Sequence, residues 1–471
     1  MRLLALAALA LLLAAPGPAP VPPEKAADVR VLSGVTVFDG TGAPAVPDSV
    51  VVIRDGRIAA VGKRGVVAVP KGARVEELPG RWVIPGLFDL HAHVTYLNGG
   101  YEAKHYDAEN SAKVLRMLLD NGITTVRNPS APLPPGVELR DAVAAGRVLG
   151  PRIFTTGEAM NNRHVPGGPN AVVTTEEEVR REVRRQADAG ADAIKVYATL
   201  PPELVRAAVA EAHARKLQAV GHLGRTTWTE AARAGIDMIE HGAPWTEDWL
   251  APEHREAYQT AIDEQGGMKA RILWLERLDP EGPQVTEALR ELAERRVWVD
   301  PTLIAYVTKF KGNDPQYVQS PDLALVPEPM LAGWRRGTFV SDWSEEDFRR
   351  GAAAWTKVLR LLKAYHAQGV RLVTGSDEPN PWVIPGISLH RELELYAEAG
   401  IPPAEILKMA TRNGAESLGI LADVGTVETG KRADLVVLSA SPLMDIRNTR
   451  KIERVFLGGR VVDPVKASGA R

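Results

Sequence analysis

Residues 83–94 read VIPGLFDLHAHV, an apolar run that closes on His91, Ala92 and His93. If the run is a strand, alternate residues share a face, so both imidazoles point the same way. Upstream, VRVLSGVTVFDG, SVVVIRDGRIAAVG and ARVEELPGRWVIP alternate apolar and polar positions and are rich in Val and Ile, the pattern of short strands. Asp39-Gly40 and Asp55-Gly56 are hairpin signals between them. The pattern returns at the far end in residues 425–428, in ADLVVLSA from Ala433 and in IERVFLGGRVVD from Ile452. This predicts a small β-sandwich domain built from residues 29–84 and 424–466, with residues 85–423 inserted between its halves. Two separate β-appendages are the alternative.

Between the chain ends, short β-rich runs alternate with longer helical patterns. Strands are predicted at 84–90, 123–127, 152–156, 193–197, 218–221, 236–240, 297–301 and 371–374. Helices are predicted at 175–189 and at 202–216, the second with Pro202 in its first turn. Gly190, Gly235 and Gly369 stand just before strands, where glycines that end helices belong. Eight strand–helix units predict an α/β fold, a (β/α)8 TIM barrel. Two connections, 241–284 and 301–342, are too long for plain turns and carry Trp245, Trp249, Trp274, Trp334 and Trp343. Long loops on the C-terminal face of such a barrel shape or cover its site.

Composition narrows the chemistry. Hydrophobic content of 45% and charged content of 25% rule out wholesale disorder. A formal charge of -2 without a basic block gives no footprint for nucleic acid. The chain has no cysteine, so disulfides, thiolate ligands and a Cys nucleophile are excluded together. Any metal must be held by His, Asp, Glu or a modified Lys. Arg2, the apolar run 3–15 and then Pro16, Gly17, Pro18 and Pro20 read as a cleaved signal peptide within residues 1–25. An uncleaved anchor is the alternative. The expectation is a periplasmic or secreted protein with no stable membrane span after cleavage.

Six candidate ligands gather at predicted strand ends: His91 and His93, Lys195 in AIKVY, His222 in QAVGH, His241 in MIEHG, and Asp377 in LVTGSD. In a barrel these ends converge on one face. Together with SLHRELELYAEAGIPPAEILKMATRNGAESLG and VGTVETGKRADLVVL, the motifs resemble the metal-dependent amidohydrolase superfamily. The nearest branch is the imidazolonepropionase-related one that includes Xaa-Pro dipeptidases. The resemblance implies two divalent metal ions, with zinc the expected metal. His91, His93 and Asp377 would hold one, and His222 and His241 the other. Lys195, carboxylated by carbon dioxide, would bridge them. A bridging hydroxide would attack an amide carbonyl, and Asp377 would be general base and then general acid. A charge count over two ions, carbamate, Asp377 and hydroxide leaves a formal surplus of +1, favouring carboxylate-bearing dipeptides or N-acyl amino acids.

Substrate contacts are expected from Tyr197, which shares the face of Lys195, from Arg163 and His164 in the loop after the third strand, and from Arg225. The partner expected is a small-molecule or dipeptide substrate, and a homo-oligomer is compatible with the sequence. The alternatives are a mononuclear cyclic-amide hydrolase or deaminase of imidazolonepropionase type, a lactonase, or a barrel that binds without turnover. A Ser-His-Asp hydrolase fits poorly, because no G-x-S-x-G elbow is present.

Overall fold

Eight parallel strands stand where the apolar runs predict them: Leu87–Asp89, Ile123–Asn128, Arg152–Thr155, Ala193–Val196, Gln218–Gly221, Met238–Glu240, Trp298–Asp300 and Arg371–Leu372. In this computed structural model the described residues are 29–95, 108–165, 168–337 and 339–462, so the signal-peptide expectation lies outside them. The ring closes through backbone contacts beyond the regular ladders. Leu90 N–H donates to Thr374 O at 2.9 Å, and Ala92 bridges in parallel to Glu378. On the other seam, Thr156 bridges to Ala193, and Asp192 N–H donates to Thr155 O at 2.8 Å. Among the described residues no helix is long and apolar enough to cross a membrane.

The helices between the strands follow from local chemistry. Thr175 and Glu178 form a capping box at the start of Glu176–Asp188, satisfying donors that the first turn leaves open. Gly235, at φ 91°, ends Trp228–Ala234 in the left-handed conformation that glycine adopts without a Cβ clash.

The strand Trp82–Pro85 joins the two chain ends. It pairs in parallel with Val29–Val37 and antiparallel with Leu435–Leu438. One eight-stranded sheet therefore holds both the N-terminal and the C-terminal strands, and separate appendages are excluded. Asp55 and Gly56, both at positive φ, make the tight turn between Val46–Arg54 and Arg57–Lys63. Asp39-Gly40 instead opens a longer connection, in which Asp39 O accepts from Val427 N–H at 2.9 Å.

The long connections are helical rather than irregular. The first carries Pro252–Gln265 and Gly267–Arg277, and the second Leu303–Phe310 and Glu328–Arg336. Their tryptophans fasten them to the barrel. Trp249 meets Trp228 edge to face at 5.4 Å between ring centres. Trp334 Nε1–H donates to Pro379 O at 2.9 Å, two residues past Asp377. Trp245 lies 5.3 Å from the ring of Tyr306, between the two insertions.

At the base of the first barrel strand, a Cβ on Gly86 would fall inside van der Waals contact of the Thr124 side chain, which is buried. Gly86→Ala should therefore cost about 1–3 kcal/mol through overpacking. A denaturant midpoint equal to that of the parent would show that the seam has slack.

Candidate metal centre

His91, His241 and Asp377 come from three separate strand ends and present ligating atoms that all lie within 4.8 Å of one another. Backbone contacts hold them there. Asp377 N–H donates to His91 O at 2.7 Å, and His241 N–H to Asp300 O at 2.6 Å. Asp377 and His241 both sit at positive φ, 60° and 75°. For residues with a Cβ this conformation is strained, and such strain gathers at functional sites.

The donor set fits a divalent cation. His93 Nδ1 lies 2.9 Å from Pro129 O. A carbonyl only accepts, so Nδ1 carries a proton, which leaves Nε2 as the nitrogen His93 can offer to a metal. That Nε2 faces Asp377 Oδ1 at 3.1 Å, and His91 Nε2 faces the same oxygen at 3.2 Å. Lone pairs turned toward one carboxylate oxygen mark a place for a cation. Burial first, and neighbouring positive groups second, push His91, His222 and His241 well below the usual imidazole range. They are therefore neutral and ready as ligands.

Beneath this centre lies a charged layer inside the barrel. Lys195 contacts Glu240 Oε2 directly. Arg127 Nη2 is 3.6 Å from Glu240 Oε1 and 3.8 Å from Asp300 Oδ2. His91 Nδ1 stands 3.9 Å and 3.8 Å from the same two oxygens. Burial raises Asp300 to about 7 despite Arg127, and lowers Arg127 to about 10. Glu240, Asp300 and Arg127 were not among the expected site residues. Their signal was a charge inside an otherwise apolar strand: MIEH, WVDP and TTVRN.

The two-metal expectation is corrected here. Among the described residues, one cluster of ligating side chains qualifies, His91, His241 and Asp377. Lys195, the expected carbon dioxide-derived bridge, is engaged with Glu240 as an ion pair. His222 does not open a second site; its Nδ1 lies 2.8 Å from His241 Nε2. The binuclear centre, the carboxylated lysine and the assignment of zinc all lapse with that geometry. So does the surplus charge that pointed to a carboxylate, since it counted a second ion. His93 sits beside the cluster on Asp377 Oδ1.

The centre forms one wall of a cavity of about 320 Å³. Tyr197 lines it, its ring 4.6 Å from that of His222. Arg163, His164 and Arg225 are exposed and do not line it. Gly224 packs on the backbone of Ala198, where a Cβ would come within 2.8 Å of the carbonyl oxygen. Further wall comes from the long insertions, Met268 and Arg271 from the first and Tyr306, Lys309 and Phe339 from the second, and from the segment after the third barrel strand, Ala159, Val165, Gly168, Pro169 and Asn170. Sequence placed these insertions over the site without naming the side chains that enter it. His390 lies elsewhere, bound to Thr449 Oγ1 at 2.9 Å and Asn121 O at 3.1 Å, and ties a barrel helix to its neighbours.

A parallel barrel with a buried His/His/Asp cluster at its strand ends defines a metal-dependent hydrolase. The sequence profile of the amidohydrolase family matches residues 82–462, and the chain belongs to that family. It is similar to ochratoxinase of Aspergillus niger, at 24% identity over 92% of this chain and 87% of that protein. It is also similar to imidazolonepropionase of Agrobacterium fabrum, at 24% identity over 85% of this chain and 86% of that one. In fold it resembles a crystal structure of a Xaa-Pro dipeptidase with bound methionine, with a TM-score of 0.67 and 20% identity, covering 92% of this chain and all of the other.

Proposed function

We propose that this protein is a mononuclear metal-dependent hydrolase that cleaves a C–N bond of a small amide, cyclic amides included. The observation that carries this is the single cluster of His91, His241 and Asp377 at the wall of the cavity. The similarity to an imidazolonepropionase along most of the chain supports it. The relatives carry different substrates in their names, so no one substrate transfers.

Neutral His91 and His241 would hold the metal with Asp377. The bound ion would act as a Lewis acid and make water a nucleophile at neutral pH. Asp377 takes the proton from the attacking water and returns it to the leaving nitrogen, base and then acid in one turnover. The apolar packing of Trp245, Trp274 and Tyr306 excludes bulk water from one side. Tyr197 contributes a flat face for the substrate. The apolar leader, residues 3–15, supports export of the mature protein.

Elemental analysis of the purified protein, after growth with supplied metal, should find close to one divalent ion per chain. Chelation should abolish turnover of a cyclic amide, and re-addition should restore it. Two tightly held ions per chain, or full activity without metal, would sink this reading.

A further inference from the structure

Two cations enter the cavity from the insertions, and among the described residues neither has a carboxylate in contact with it. Arg271 Cζ lies over the rings of Trp245 at 5.1 Å and Tyr306 at 5.6 Å. Lys309 Nζ lies over Tyr306 at 5.0 Å and Phe339 at 4.9 Å. Among the described residues, neither stands within ion-pair distance of Asp or Glu. A ring face attracts a cation without neutralising it. Burial also pulls Lys309 down to about 8, against the opposing pull of Asp377 and with that of Arg271.

Their position relative to the metal centre is fixed by Tyr306. That ring is 5.6 Å from the ring of His241. Each cation is therefore no further from His241 than its own step to Tyr306 plus this second step. The span suits the two ends of one small molecule, with its scissile bond near Asp377 and its anion near Arg271 and Lys309.

We propose that Arg271 and Lys309 form an anion subsite that fixes a carboxylate of the substrate, with Tyr306 and Phe339 forming the wall for the carbon skeleton beside it. This deepens the hydrolase reading and rests on it for the word substrate. It does not rest on the number of metal ions. The complementarity is local: a forked guanidinium and a mobile ammonium line the same cavity beside one ring, Tyr306, and each can donate to an oxyanion there. Both residues belong to the insertions rather than to the barrel strands, so they set specificity without touching the metal ligands.

The test uses probes that cannot be hydrolysed. Calorimetric titration of the metal-loaded protein with 3-phenylpropanoate and with neutral 3-phenyl-1-propanol separates charge from shape. The carboxylate should bind about tenfold or more tightly than the alcohol, and added salt should weaken only the carboxylate. Arg271→Met combined with Lys309→Met should bring the two affinities within about twofold, because most of the charge complementarity is gone. Lys309→Met alone, and Arg271→Lys, should fall between, which covers the case in which the double variant does not fold. Arg225→Met, exposed and outside the cavity, should bind like the parent. Equal affinities for the two probes, no saturable binding of the carboxylate at millimolar concentration, or undiminished carboxylate binding in Lys309→Met and the double variant would overturn the subsite. The last result would mean that the carboxylate binds the metal directly. Turnover of N-acetyl-L-phenylalanine, measured separately, addresses the hydrolase reading: its absence beside charge-dependent binding leaves the subsite standing.

Discussion

Asp377→Asn is expected to lower kcat by about 10²–10⁴-fold on any amide the enzyme turns over, while the fold survives. The size follows from the loss of a positioned proton acceptor and donor. Survival follows from the local structure. Asparagine is nearly isosteric, it tolerates positive φ better than most residues, and the backbone bonds from Asp377 N–H to His91 O and from Asn380 N–H to Asp377 O do not involve the carboxylate. The variant also replaces an anionic ligand by a neutral one, so metal affinity should drop as well. The two effects are separable. Kinetics at saturating added metal isolate the proton transfer, and metal content after dialysis reports the ligand. If kcat returns to the parent value once metal is saturating, Asp377 is a ligand and not the proton carrier. His241→Ala should behave differently, losing metal first, because His241 has no proton to move in the proposed reaction.

The barrel and the split β-domain were legible because both rest on periodicity. Alternating Val and Ile in SVVVIRDGRIAAVG specify a strand, a turn and a strand, and the structure has Val46–Arg54 paired with Arg57–Lys63. Strand ends were legible too, since His91, His241 and Asp377 each follow an apolar run, and the barrel brings such ends to one face. What sequence could not supply was distance. Whether Lys195 serves a metal or a carboxylate depends on which side chain lies opposite it in the next strands. Glu240 is that residue, 45 positions away. The family resemblance pointed to a bridge, and the register of neighbouring strands put an ion pair there instead. Arg163, His164 and Arg225 stand outside the cavity lining for another reason. Arg225 was placed by its nearness to His222, and Arg163 and His164 by their loop after the third strand; that loop reaches the cavity through Val165, Gly168, Pro169 and Asn170, while the Arg163 and His164 side chains are exposed. Arg271 and Lys309 were invisible because helices inside an insertion carry no register relative to the barrel until they pack.

Glu240→Leu should destabilise the protein by about 3–5 kcal/mol, the usual consequence of leaving a buried charge without its partner. Lys195, Glu240, Arg127 and Asp300 are all buried, so solvent cannot absorb the loss. Asp300 remains beside Arg127, at 3.8 Å, but burial already pushes the Lys195 amine well below its usual range, and Glu240 is the carboxylate in contact with it. The double variant Glu240→Leu with Lys195→Met should recover a large part of the loss, since removing both members of a buried pair is often close to neutral. Equilibrium denaturation of the parent, both single variants and the double closes the cycle. The sign of the first step carries the most information. With Lys195 as an ammonium, Glu240 attracts it, and Glu240→Leu weakens the fold. An anionic Lys195 would stand beside an anionic Glu240, and the same substitution would relieve repulsion and strengthen the fold. A rise in stability would therefore contradict the ion pair seen between Lys195 and Glu240, whereas a fall with partial rescue in the double variant would tie the centre's geometry to a charge layer built below it.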